Sequence, residues 1–134
     1  MTRLPNWERA LSDYLASMRE VEYRYGRDDC GLFAAGAVLA MTGDDPAAAF
    51  RGQYDSATGA AKALRRIGAG DLESTLDSMF ERKQPSFAHR GDLIWNGEAV
   101  GVCAGAYALF IAAEGEGGGL VRVPRADWQG AWAV

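Results

Sequence analysis

The sequence is poor in the residues from which most metal and redox sites are built: among 134 residues it has one histidine, His89, and two cysteines, Cys30 and Cys103. A closed zinc site takes about four Cys or His ligands, so these side chains leave it one short, and neither a metal nor a cofactor is expected. A disulfide framework also needs more cysteines than this. Any Cys–His catalytic pair has to use His89. Lysine is scarce too, with only Lys62 and Lys83 among 14 basic residues, and the formal net charge is -4. Affinity for nucleic acid comes largely from neutralised phosphates, so an acidic chain with scattered arginines is not expected to bind it. No apolar run approaches the ~20 residues that span a bilayer. The longest, Leu32 to Met41, fits a buried helix. The first residues lack the apolar segment of a secretory signal, which points to synthesis in the cytoplasm with both thiols reduced.

What is present is an ordinary globular composition, 49% hydrophobic and 24% charged. It suits a single domain over residues 1–134 with a core that needs no staple. Trp7, Leu11, Tyr14, Leu15 and Met18 recur at helical spacing behind Asn6 as N-cap, and give a first amphipathic helix. A turn-rich stretch, Tyr23 to Asp29, leads into a second helix from Cys30 to Met41, with Gly43 as its stop. Asp45-Pro46 has the form of a cap followed by proline at the first helical position, predicting a short helix through Phe50. Ser56 to Ile67 is a further helix, and Leu72 to Phe80 another segment beyond Gly68 and Gly70. The remainder changes character. Leu93–Trp95, Ala99–Cys103, Tyr107–Ala112 and Leu120–Val123 are short β-prone runs separated by glycine-bearing turns, and Glu114 to Gly119 is a hairpin loop. Helices first and strands afterwards predict an α+β fold with an antiparallel sheet.

Cys30 is the focal residue. A thiol at a helix N-terminus lies at the positive end of the dipole, which favours the thiolate. Asp28 and Asp29 oppose that effect, and one of them is needed as a cap. Against the nucleophile stands the ordinary behaviour of free cysteine as a small buried hydrophobe. Cys103 lies in an apolar strand with no basic neighbour and is expected to be core. Gly117-Gly118-Gly119 is not followed by Lys-Ser/Thr and is not a phosphate loop. The segment around Arg51, Tyr54 and Asp55 is a candidate interaction surface, since Arg and Tyr are enriched at interface hot spots.

Gly26-Arg27-Asp28-Asp29-Cys30-Gly31-Leu32-Phe33 and the later Arg90-Gly91-Asp92-Leu93-Ile94 resemble the NlpC-type papain-like cell-wall peptidases. The resemblance implies a nucleophile helix opened by Asp-Cys, a Gly-Asp strand, and a next strand beginning His-Val-Gly. The chain also resembles, along nearly its whole length, a group of small phage and prophage proteins found among tail genes. That likeness is carried by Trp7, Gly26 to Phe33, Thr42 to Pro46, Arg51 to Tyr54, Gly59–Ala60, Gly91–Asp92 and Trp132. Against that His-Val-Gly pattern the general-base position is occupied by Ala99, and the stretch Phe110 to Ala112, where the resemblance implies a third polar residue, offers none. His89 lies at the far end of the Leu93–Trp95 strand, roughly 10–17 Å from where the base should stand. The resemblance therefore implies a non-catalytic NlpC-like structural or docking component of a phage tail, at the tail tip, with other tail proteins as partners and the virion as its final location. The alternatives are an active cysteine peptidase or amidase acting on peptidoglycan through Cys30, with His89 as base, and a muropeptide-binding module.

Overall fold

The computed structural model describes residues 1–134. Four helices come first: α1 (Trp7–Ser17), α2 (Cys30–Thr42), α3 (Ala57–Arg66) and α4 (Leu72–Met79). Six strands follow: β1 (Arg82–Lys83), β2 (Leu93–Trp95), β3 (Val100–Cys103), β4 (Tyr107–Ile111), β5 (Leu120–Pro124) and β6 (Gly130–Trp132). They form one antiparallel sheet in the order β1-β6-β2-β3-β4-β5. The fold is α+β, as the order of helical and strand patterns predicts. No helix is long and apolar enough to cross a membrane.

α2 is apolar on every side, the pattern of a helix enclosed by the rest of the domain. Its small residues admit α1 at close range. Tyr14 donates its hydroxyl to the Phe33 carbonyl at 2.8 Å and stacks on the Phe33 ring with centroids 5.9 Å apart. A Cβ at Gly36 would collide with the Tyr14 hydroxyl, so the crossing needs glycine there. Leu11, Phe33, Val38, Leu76, Val100 and Trp132 belong to one 16-residue core that joins α1, α2 and α4 to the near face of the sheet. Side chains alternate along a strand. Val100 and Val102 therefore enter this core, while Cys103 joins Ile94, Phe110 and Trp128 in a second cluster on the far face. Burial on both faces explains why these strands read as continuous apolar runs.

Three local expectations are corrected. Asp45 to Phe50 is a succession of turns, not a helix. So short a segment gains too few hydrogen bonds to repay nucleation, and Phe50 is turned inward to pack with Leu32 and Ala63. Asn6 precedes α1 without a side-chain cap bond. Strands β1 and β6 add to the four runs visible in the sequence. Their pairing, Arg82 with Trp132 and Leu93 with Trp132, joins distant segments, which no local periodicity reveals.

Candidate functional site around Cys30

Cys30 opens α2, and Asp29 caps it. The Asp29 backbone is extended, at φ -94 and ψ 176, while its Oδ1 accepts the Leu32 N–H at 2.9 Å. Its Oδ2 accepts the Gly26 N–H at 3.0 Å and the Tyr54 hydroxyl at 2.5 Å. The carboxylate is buried, with 4% of the residue exposed, and all its partners are uncharged donors. Asp28 instead exchanges backbone hydrogen bonds with Arg24 across the preceding turn, at 3.2 and 2.8 Å. Of the two aspartates, Asp29 is the cap.

The helix dipole does not activate the thiol. Burial pushes its pKa up; the Val100 backbone amide opposes that, the Asp29 carboxylate reinforces it, and the Tyr23 hydroxyl and Gly31 amide oppose it more weakly. The net shift is upward, because desolvation disfavours the charged thiolate more than these dipoles support it. Tyr23 faces both the backbone amide and the sulfur of Cys30, and its own pKa is also raised by burial. The cavity beside the thiol is walled by Tyr23, Tyr25, Phe50, Tyr54, Leu64 and Leu72, among others, with no histidine in its lining.

His89 is exposed, in the turn before β2. That turn is tied to the Cys103 end of β3, for Gly91 donates to the Cys103 carbonyl and Cys103 to the Asp92 carbonyl, each at 2.8 Å. Gly91 also lies against Met41, at the C-terminal end of α2. Cys30 lies at the opposite end of α2, about 16 Å away along the helix axis, and faces the Val100 end of β3. The fold thus places the cysteine and the histidine at opposite ends of the same helix–strand pair. Ala99 precedes β3 and packs against the far-face cluster.

The expected interaction surface is mostly turned inward. Arg51 Nε pairs with Asp45 at 2.7 Å and its Nη2 reaches the Leu32 carbonyl at 3.4 Å. Tyr54 is bound to Asp29 and packs against the Leu32–Phe50–Ala63 cluster. Only Asp55 of the three is exposed.

Sequence reasoning missed the part played by Asp92, which it read only within the Gly-Asp motif. The residue is 2% exposed. It receives Lys83 Nζ and the His89 N–H at 2.8 Å, the Val134 N–H at 3.1 Å and the Arg3 guanidinium at 3.4 Å. Arg3 also donates to the carbonyls of Val134 and Arg90, each at 3.0 Å, and lies over the Trp7 ring at 4.1 Å. A polar residue at the mouth of an otherwise apolar strand was the available signal, but its donors come from positions the sequence does not bring together. No three His, Cys, Asp or Glu side chains converge in a metal-ligating group.

No curated protein and no solved structure matches this chain. Residues 2–134 match the family described as "Domain of unknown function (DUF6950)", and the chain belongs to that family.

Proposed function

We propose that this chain is an NlpC-like, papain-like domain without catalytic activity, serving as a structural or docking component of a phage tail. The observation that carries the loss of catalysis is the environment of Cys30. Cysteine peptidase chemistry needs a base to take the thiol proton and return it to the leaving amine. Here the cavity lining contains no histidine, and burial holds the thiol protonated. The layout of a cysteine-led helix packed on an antiparallel sheet supports the family resemblance of the Asp-Cys and Gly-Asp motifs. The tail setting rests on the order of motifs shared with the phage and prophage proteins. The muropeptide-binding alternative gains nothing from the geometry, since the cavity beside Cys30 is walled mainly by hydrophobic side chains and its one charged residue, Asp29, is already bound to Gly26, Leu32 and Tyr54.

The test is incubation with purified peptidoglycan and with muropeptides, with Cys30→Ala as control. Neither protein is expected to release fragments, and Cys30 should react with iodoacetamide at pH 7 no faster than a free model thiol. Turnover that disappears in Cys30→Ala would overturn the non-catalytic reading. Mass spectrometry of assembled tails from a phage or prophage carrying the gene tests the setting, and absence of the chain from those particles would remove the docking role.

A further inference from the structure

We propose that residues 44–68 form a flap that opens as a unit over the Cys30 cavity, with the hydrogen bond from Tyr54 to Asp29 as its clasp. The segment is bounded by glycines in the left-handed region. Gly43 ends α2 at φ +83, and Gly70 follows the flap at φ +114 with open space around it. Between them the chain runs through turns into α3 and contributes little to the main core. Its apolar underside forms a separate cluster in which Phe50 and Ala63 meet Leu32 of α2, with Ala47, Tyr54 and Leu64 at the margin. Three buried residues there stand against 16 in the core of α1, α2, α4 and the sheet. Regions with few buried apolar contacts open at lower free energy than the body of a domain.

The seat of the flap is also incompletely filled. A pocket remains between Pro46, Phe50 and Leu64 on the flap and Leu72, Leu76 and Met79 on α4, and unfilled space forfeits dispersion contacts. Polar attachments are few. Its ends are held by Thr42 with Asp44 and by Gly70 with the Leu64 carbonyl; between them, besides the clasp at 2.5 Å, only Gly52 donates to the Gly26 carbonyl, at 2.9 Å, and Arg51 to the Leu32 carbonyl, at 3.4 Å. Gly26 lies at φ +84, and a Cβ there would collide with the Tyr54 carbonyl oxygen. The flap backbone therefore rests directly on the turn that leads to Cys30. Phe50 and Tyr54 share the cavity wall with the part-buried Cys30, so the closed flap restricts access to the thiol. This gating does not depend on whether the chain is catalytic.

Iodoacetamide labelling of the two cysteines, read by mass spectrometry, tests the flap. Cys103 is fully buried on the other face of the sheet and reports global unfolding, whereas Cys30 reports flap opening. Removing a hydrogen bond to a carboxylate by Tyr54→Phe is expected to accelerate labelling of Cys30 about tenfold or more, with Cys103 unchanged. An unchanged Cys30 rate, or equal acceleration at both cysteines, overturns the proposal. If Tyr54→Phe fails to fold, hydrogen exchange of the wild-type protein decides instead. The α3 amides should exchange through one shared opening at lower free energy than those of α2; protection of α3 equal to that of α2 overturns the flap.

Discussion

Two buried aspartates occupy similar places, each after a glycine turn and at the entrance to an apolar element, yet they are satisfied by different means. Asp29 accepts two backbone N–H groups and a tyrosine hydroxyl, all neutral, and its donors lie within the turn, the helix and the flap. Asp92 accepts two backbone N–H groups and two cations, Arg3 and Lys83, drawn from segments far apart in the chain. A capping carboxylate stays partly served if one donor leaves. A carboxylate that neutralises cations anchors several segments at once, and its loss leaves charge without a partner. The first arrangement organises one helix terminus, and the second holds residues 3, 83, 89 and 134 together.

Asparagine at each site is the sharpest way to break this comparison. Asp92→Asn removes the charge that balances Arg3 and Lys83, and breaking a buried pair from one side costs about 3–5 kcal/mol. Asp29→Asn keeps a good cap and leaves the Gly26 N–H facing another donor, at about 1–2 kcal/mol. Urea denaturation measures both, and equal losses would remove the distinction between pairing and capping.

Extremes of pH separate groups that are only buried from groups that are paired. Burial raises the pKa of Cys30 and Cys103 above the ordinary 9.0, and of Tyr14, Tyr23 and Tyr54 above 10.0. In the folded protein these groups keep protons that the unfolded chain has already lost, so the folded state binds more protons. Their contribution is complete below pH 9 and declines as pH rises beyond it. Melting temperature should fall progressively from about pH 9 upward; a flat profile to pH 11 would contradict the burial of these groups.

The smallest effect is expected at Asp45, whose pKa is lowered. Burial acts against that shift, and it is outweighed by the Arg51 hydrogen bond, the Ala47 amide and the Arg51 charge. Its contribution is present above the ordinary 3.8 and is lost as pH falls through the depressed value. The pair is part-exposed, at 18% for Asp45 and 34% for Arg51. Arg51→Ala should therefore cost about 0.5 kcal/mol and flatten the acid limb of the stability profile. A loss several times larger would mean that the contact of Arg51 with Leu32 matters more than its ion pair.

Much of the local order was legible. The periodicity of Leu11 and Leu15, the apolar run after Cys30, the glycine after Thr42 and the aspartate before Cys30 each act on neighbours within a few residues. The turns at Asp45 to Phe50 were misread because the same cap signal cannot carry so short a segment into a helix. At the candidate site, the scarcity of histidine and the position of Ala99 were visible, while the state of the thiol was not. Local position at a helix N-terminus argues for a low pKa. Burial among Tyr23, Phe50, Tyr54 and Leu72 reverses it, and those residues come from three separate parts of the chain.

By itself the sequence determined the α+β class, the boundaries of the principal helices, and the fact that a single imidazole was available for any chemistry with Cys30. Those features follow from residue counts and from spacings of three or four residues, over which backbone geometry is nearly fixed. Only the tertiary structure decided that β6 returns between β1 and β2, and that Asp92 gathers donors from residues as distant as 3 and 134. It also decided that Cys30 and His89 lie at opposite ends of one helix. These features depend on which distant segments meet, and that choice belongs to the packing of the whole chain.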